Sequence, residues 1–196
     1  MTSLSVCVFC GARYGARESY ATAAIELGQG LAARGWRLVY GGGDVGLMGT
    51  VADATLSAGG EVLGIIPRRL LEREAGKREV DQFVVTETMA ERKERMIAAS
   101  DAFVVLPGGL GTLDELLEVM TLRQLGFIDK PIVLIDVDGY WQPVMRLFEQ
   151  IVEEAFAERD ATSLVEVAGG VEGALSVLAG RAVATPPGQD DQAPVA

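Results

Sequence analysis

The chain has 196 residues, 49% of them hydrophobic and 23% charged, with a mean hydropathy of +0.25, the profile of one compact globular domain rather than two. Its 17 Lys and Arg stand against 28 Asp and Glu, a net charge of -11, which excludes a broad surface for nucleic acid or acidic lipid and requires any bound phosphate to be held locally. The sequence contains no histidine, so Ser-His-Asp and Cys-His nucleophile pairs and every His-containing metal site are excluded, leaving carboxylates, Arg, Lys and backbone N–H groups to do any chemistry.

Short β-rich apolar runs alternate with longer helical patterns. The predicted strands, in chain order, are Leu4 to Phe9, Arg37 to Tyr40, Val62 to Ile66, Phe83 to Val85, Phe103 to Leu106 and Ile132 to Ile135, predominantly apolar runs without polar alternation, as in strands buried on both faces. Between them the periodicity predicts helices at about Ser19 to Arg34, Val45 to Ser57, Met89 to Ala99, Thr112 to Leu125 and Tyr140 to Ala157, with a weak strand near Leu164 to Val167 and a last helix near Val171 to Leu178. This βαβ rhythm predicts an α/β, Rossmann-like doubly wound parallel sheet forming a single domain over residues 1–180. The stretch 181–196, rich in Pro, Gly, Gln and Asp, is expected to be a disordered tail because it has little apolar surface to bury.

Cys7 and Cys10 are the only cysteines. Without a second pair or a His they cannot complete a four-ligand zinc site. Three-residue spacing along a strand sends their side chains to opposite faces, so they read as small core residues in a reducing cytoplasm. No basic segment followed by an apolar stretch opens the chain, and no apolar run approaches the roughly 18 residues of a membrane helix. The expectation is a soluble, unexported, cytoplasmic protein.

In such a fold ligands bind beyond the carboxyl ends of the strands. Gly41, Gly42, Gly43, Asp44, Val45 and Gly46 formally match G-x-G-x-x-G, but the match follows the second strand and lacks an acid about 20 residues on, which argues against a dinucleotide. Leu47 stands where a P-loop needs Lys. What remains is either an anion cradle at a helix start or a tight turn with close packing. Pro107, Gly108, Gly109, Leu110, Gly111, Thr112, Leu113, Asp114 and Glu115 offer two readings as well: a capping box in which Thr112 caps the helix and Glu115 reaches back to it, or a cradle rich in N–H groups with a carboxylate beside it. In the helix containing Glu91 to Arg95, Arg92 and Lys93 share a face with Met89 and Met96. Cations there either snorkel to an edge or meet an anionic partner or a cleft. Thr88 and Glu91 form a further capping-box spacing at that helix's start.

Taken together, Val8-Phe9-Cys10-Gly11, Tyr40-Gly41-Gly42-Gly43 with Gly46-Leu47-Met48-Gly49, Met89-x-x-Arg92-Lys93-x-x-Met96 and Pro107-Gly108-Gly109-x-Gly111-Thr112-x-x-Glu115 resemble the Lonely Guy family of cytokinin riboside 5′-monophosphate phosphoribohydrolases, over about residues 4 to 180. The resemblance implies a homodimeric hydrolase that cleaves the N-glycosidic bond of N6-modified adenosine 5′-monophosphates, giving free base and ribose 5-phosphate, with no metal or redox cofactor. It assigns catalysis to Arg92 and Glu115 and places Gly43, Glu74, Lys93, Gly108, Gly109, Leu110, Gly111, Thr112, Leu113, Asp114 and Thr121 around the substrate. Met89, Met96, Leu117 and Met120 offer an apolar helical face for the dimer. Two departures stand out: Ala12-Arg13 occupies the place of the family's usual Ser-Ser, removing a hydroxyl that could touch phosphate, and Ala90 replaces a His. The alternatives are a general AMP nucleosidase, a non-catalytic nucleotide or molybdenum-cofactor carrier, and, least favoured, a pyridoxal-phosphate decarboxylase, for which Lys77, Lys93 and Lys130 carry no distinctive pattern.

Overall fold

In the computed structural model, residues 3–72 and 82–184 are described. Seven strands form one sheet: β1 (Ser5–Phe9), β2 (Arg37–Tyr40), β3 (Val62–Pro67), β4 (Gln82–Thr86), β5 (Ala102–Val105), β6 (Ile132–Ile135) and β7 (Glu166–Ala168). Every pairing is parallel and the spatial order is β4-β3-β2-β1-β5-β6-β7. The helices are α1 (Glu18–Ala33), α2 (Gly46–Ser57), α3 (Arg68–Leu71), α4 (Met89–Ala98), α5 (Leu110–Gln124), α6 (Gln142–Glu153) and α7 (Val171–Ala184).

Strand alternation divides the buried side chains into two cores. Val6 and Val8 of β1, Leu38 and Tyr40 of β2, and Val104 of β5 face α1, α2 and α7. Cys7 and Phe9, Val39, and Phe103 and Val105 face α4, α5 and α6. Phe9 and Phe103 stack across the second core at 5.7 Å between ring centroids, a geometry that adds to their area burial. The two-faced burial is why the strands read as continuous apolar runs. Cys10 belongs to the first core and Cys7 to the second, both as free thiols, so the expected split of the C-x-x-C pair across the sheet holds.

The predicted elements are all present, with shifted ends. α5 begins at Leu110, two residues before Thr112, because Gly109 takes the N-cap position. α6 ends at Glu153, short of Ala157, where Ala155 turns to a positive φ of 60°. The four-residue α3 was not expected. α7 continues through Ala184, so the expected tail boundary at residue 181 falls inside a helix. No helix among the described residues is long and apolar enough to cross a membrane.

The strand order runs one way from β1 through β2, β3 and β4 and the other way through β5, β6 and β7. The connections after β1 and β5 therefore leave in opposite directions, opening a crevice at the carboxyl edge between them.

Candidate active site

That crevice is a cavity of about 530 Å³. Its walls are the loop after β1 from Cys10 to Gly15, the glycine loop after β5 with the first turns of α5, Leu47 and Met48 from α2, Leu70 from α3, Tyr20 from α1 and Tyr140. Arg92 and Glu115 form its charged floor.

The two glycine loops do different work. After β2, Gly41 to Gly46 lie beneath the cavity rather than on its wall. A Cβ on Gly41 would overlap the Arg92 Nη2 atom and stand 3.0 Å from its Cζ, so glycine here makes room for the guanidinium. Gly46, at φ +68°, leaves no space for a side chain against the backbone of Ala12 and Arg13, and the Leu47 and Met48 N–H groups donate to the Gly11 carbonyl at 3.0 and 3.3 Å. The tight-turn reading thus describes this loop, and Gly43 is buried outside the cavity wall.

After β5 the loop forms an uncapped helix start on the cavity wall. Gly109 caps α5 without any side-chain bond to the helix, and Gly108, Gly109, Gly111 and Thr112 line the cavity. An N-terminus that no side chain caps presents donors and a partial positive charge to an anion. The loop is held from both sides: the Gly11 N–H donates to the Pro107 carbonyl at 3.1 Å, and the Tyr140 hydroxyl donates to the Gly108 carbonyl. Because a trans peptide points its N–H opposite to its C=O, that last bond aims the Gly109 N–H away from Tyr140.

Thr112 and Glu115 do not form a capping box. Thr112 is the third residue of α5, and Glu115 turns inward to accept a hydrogen bond from Arg92 Nη1 at 2.9 Å. The Arg92 and Glu115 side chains are 8% and 9% exposed. Arg92 also donates through Nε to the Ile65 carbonyl at 3.2 Å, which ties it to the end of β3. Burial pushes the Glu115 carboxyl above its ordinary value, and the adjacent Arg92 charge holds part of that rise back. Snorkelling is therefore not what Arg92 does.

Lys93 bridges Asp114 at 3.0 Å and Glu118 at 2.8 Å, bracing α4 against α5, and the Glu118 and Asp114 carboxylates raise its pKa against some desolvation. At Thr88 the forward half of the expected capping box forms, Glu91 N–H donating to Thr88 Oγ1 at 3.1 Å, but the Glu91 carboxylate accepts from the Glu87 N–H at 2.9 Å, one residue before the cap.

Of the other expected site residues, Leu110, Asp114 and Thr121 are exposed and lie outside the cavity wall, as do Lys93 and half-buried Leu113. Glu74 and Lys77 fall outside the described residues. Met96 and Met120 are core residues, at 1% and 8% exposure, whereas Met89 and Leu117 are exposed, so the apolar face expected for a dimer contains only the latter pair. Sequence reasoning passed over Tyr20 and Tyr140, whose rings meet edge to face at 5.6 Å on the cavity wall. The position of Tyr140, a few residues beyond β6, was the available signal. Among the described residues no group of three or more Cys, Asp or Glu is arranged to hold a metal ion.

A family model described as "Possible lysine decarboxylase" matches residues 48–178. The chain is 46% identical over 160 residues to "Probable cytokinin riboside 5′-monophosphate phosphoribohydrolase LOGL1" of Oryza sativa subsp. japonica, covering 82% of this chain and 72% of that one. It is likewise 46% identical over 160 residues to cytokinin riboside 5′-monophosphate phosphoribohydrolase LOG3 of Arabidopsis thaliana, covering 82% and 74%. Among solved structures, the molybdenum-cofactor carrier protein of Chlamydomonas reinhardtii superposes with a TM-score of 0.73 at 24% identity over 94% of this chain and all of that one; this is a likeness of fold. With its motifs in place around one cavity and this identity across four-fifths of its length, the chain belongs to the Lonely Guy family of cytokinin riboside 5′-monophosphate phosphoribohydrolases.

Proposed function

We propose that this protein hydrolyses the bond between base and ribose in N6-modified adenosine 5′-monophosphates, releasing the free base and ribose 5-phosphate. The observation that carries the reading is the buried Arg92–Glu115 pair at 2.9 Å on the floor of a cavity whose wall is an uncapped helix N-terminus.

Breaking the bond from ribose C1′ to the base nitrogen sends its electron pair to the base and leaves positive charge on the sugar. A carboxylate withdrawn from water stabilises that charge strongly, because little solvent screens it. Burial favours the protonated form of Glu115, and Arg92 counters this by favouring the anion. Water then adds at C1′, giving its proton to Glu115, while the departing base takes a proton from solvent. Gly108, Gly109, Gly111 and Thr112 hold the 5′-phosphate.

Thr121 and Asp114, which the family resemblance brings to the substrate, lie on the exposed side of α5 with Leu110 and Leu117. A homodimer formed through this side, joined by Met89, offers these residues to a partner's cavity. The buried free thiols fit a cytoplasmic location. The decarboxylase reading finds little support, since Lys93 is held charged by two carboxylates, the opposite of a nucleophilic amine.

The test is incubation with isopentenyladenosine 5′-monophosphate and, separately, AMP, with free base followed by chromatography and Glu115→Gln as control. Base release from the modified nucleotide that disappears in the variant supports the reading. Release from AMP alone makes the protein a general nucleosidase, and tight nucleotide binding without release from either makes it a carrier.

A further inference from the structure

Among the described residues, three charged ones line the cavity: Arg13, Arg92 and Glu115. Arg92 and Glu115 neutralise each other at 2.9 Å. Arg13 is exposed, and its side chain has no ion pair or hydrogen bond among the described residues. It is therefore the cavity's one uncompensated charge there. Its backbone, by contrast, is fixed: Gly46 packs directly against it, and Gly11 is bonded both to the start of α2 and to Pro107. A rigid backbone carrying an unpaired planar guanidinium beside an N–H cradle is an arrangement for a ligand that offers a pair of anionic oxygens, as a phosphate does.

The whole-chain charge sharpens the point. At -11 the protein repels a dianionic phosphate wherever screening, over about 8 Å at physiological salt, leaves the field of its carboxylates felt. The α5 terminus contributes only about half a positive charge. Arg92 has its charge committed to Glu115, so binding a phosphate through Arg92 would strip the carboxylate of the group that keeps it ionised.

Building on the hydrolase reading, we propose that Arg13 is the residue that selects the 5′-phosphate, supplying the full positive charge that the helix terminus lacks. Arg92 is thereby left to Glu115 and the sugar. Arg13 determines specificity for monophosphate over nucleoside; it takes no part in bond cleavage.

The experiment compares wild type with Arg13→Gln and Arg13→Lys in two assays: calorimetric binding of ribose 5-phosphate, and base release from isopentenyladenosine 5′-monophosphate against isopentenyladenosine. Losing one charge-assisted phosphate contact weakens binding about ten- to a hundredfold. Arg13→Gln is expected to lose ribose 5-phosphate affinity and to raise KM for the monophosphate by that factor, with kcat within about twofold and the nucleoside rate unchanged. Arg13→Lys is expected to recover much of the loss. Unchanged ribose 5-phosphate binding in Arg13→Gln, or a loss confined to kcat, overturns the proposal. If wild type releases no base, the hydrolase reading fails while the calorimetry still decides this one: sugar-phosphate binding that vanishes in Arg13→Gln sustains the anchor, and no binding by wild type refutes it.

Discussion

Gly41→Ala tests whether the position of Arg92, and not merely its presence, governs activity. The added methyl would overlap Nη2 of Arg92 and sit 3.0 Å from Cζ and 3.2 Å from the Met48 sulfur, whereas ordinary contact begins at 3.4 Å. Gly41 has no positive φ, so the substitution strains no backbone; the effect falls chiefly on the guanidinium, with a smaller squeeze on the Met48 sulfur. It must retreat by about 1.5 Å, which is enough to break the 2.9 Å bond to Glu115 and the 3.2 Å bond to Ile65. Overpacking and weakened charge-assisted bonds together cost about 2 kcal/mol, a fall in Tm of about 4–8 °C for a chain of this length. Activity should fall much further, by about a hundredfold in kcat, as a misplacement of this size commonly does. Gly180→Ala is the control: an exposed glycine of α7 with nothing within 4 Å of its added methyl, expected to gain about 0.5–1 kcal/mol with unchanged turnover. The measurements are thermal melts and base release from isopentenyladenosine 5′-monophosphate. A stable Gly41→Ala protein with wild-type kcat refutes the reasoning, since Arg92 would then tolerate displacement from Glu115.

The pH dependence carries a sign. The Glu115 proton is held more tightly in the folded chain than in the unfolded one, so this group's contribution to stability is greatest at low pH and declines as pH rises from the ordinary carboxylate value of 4.5 through its raised pKa. The acid limb of kcat is accordingly expected above pH 4.5, and Arg92→Gln, which removes the charge favouring the anion, is expected to shift any residual limb upward; a pH–rate series showing a limb below 4.5 would contradict the assignment. Tyr140→Phe keeps both aromatic contacts and loses only the donation to the Gly108 carbonyl, with an expected cost of about 1 kcal/mol and a several-fold rise in KM, read from melts and initial rates. Burial raises the pKa of both Cys7 and Cys10, so a colorimetric thiol titration should find neither reactive until the protein is denatured.

Much of this fold was legible because its signal is local. A run such as Ile132 to Ile135 reads as a doubly buried strand, and six such runs separated by helical patterns allow few topologies other than a parallel sheet. Element ends were less legible. Three glycines within Pro107 to Gly111 permit the helix to begin at several positions, and the start chosen depends on the loop after β1 packing against Pro107, a contact between residues about a hundred positions apart. α3 is too short to show periodicity, and Tyr140 was hidden because its role comes from a backbone carbonyl in another loop.

That one undecided helix start decides the chemistry. Had α5 begun after Thr112, the Thr112–Glu115 spacing would have closed a capping box and Glu115 would have faced the helix's own N-terminus. Because Gly109 takes the cap, Glu115 enters the second turn on the inner face, opposite the one helix, α4, whose apolar side carries a cation. A buried ion pair is a poor source of stability: desolvating two charges offsets their attraction, and apolar residues of similar volume serve a fold at least as well. Here Gly41 also gives up its side chain to make the pair possible, and Ile65 lends a carbonyl to hold it. A fold that arranges α4, α5, β3 and the loop after β2 around a pair that adds so little to its stability is arranging them for the electrostatics of the cavity; on the proposed mechanism, a buried carboxylate whose anion a neighbouring charge favours is what a developing sugar cation requires.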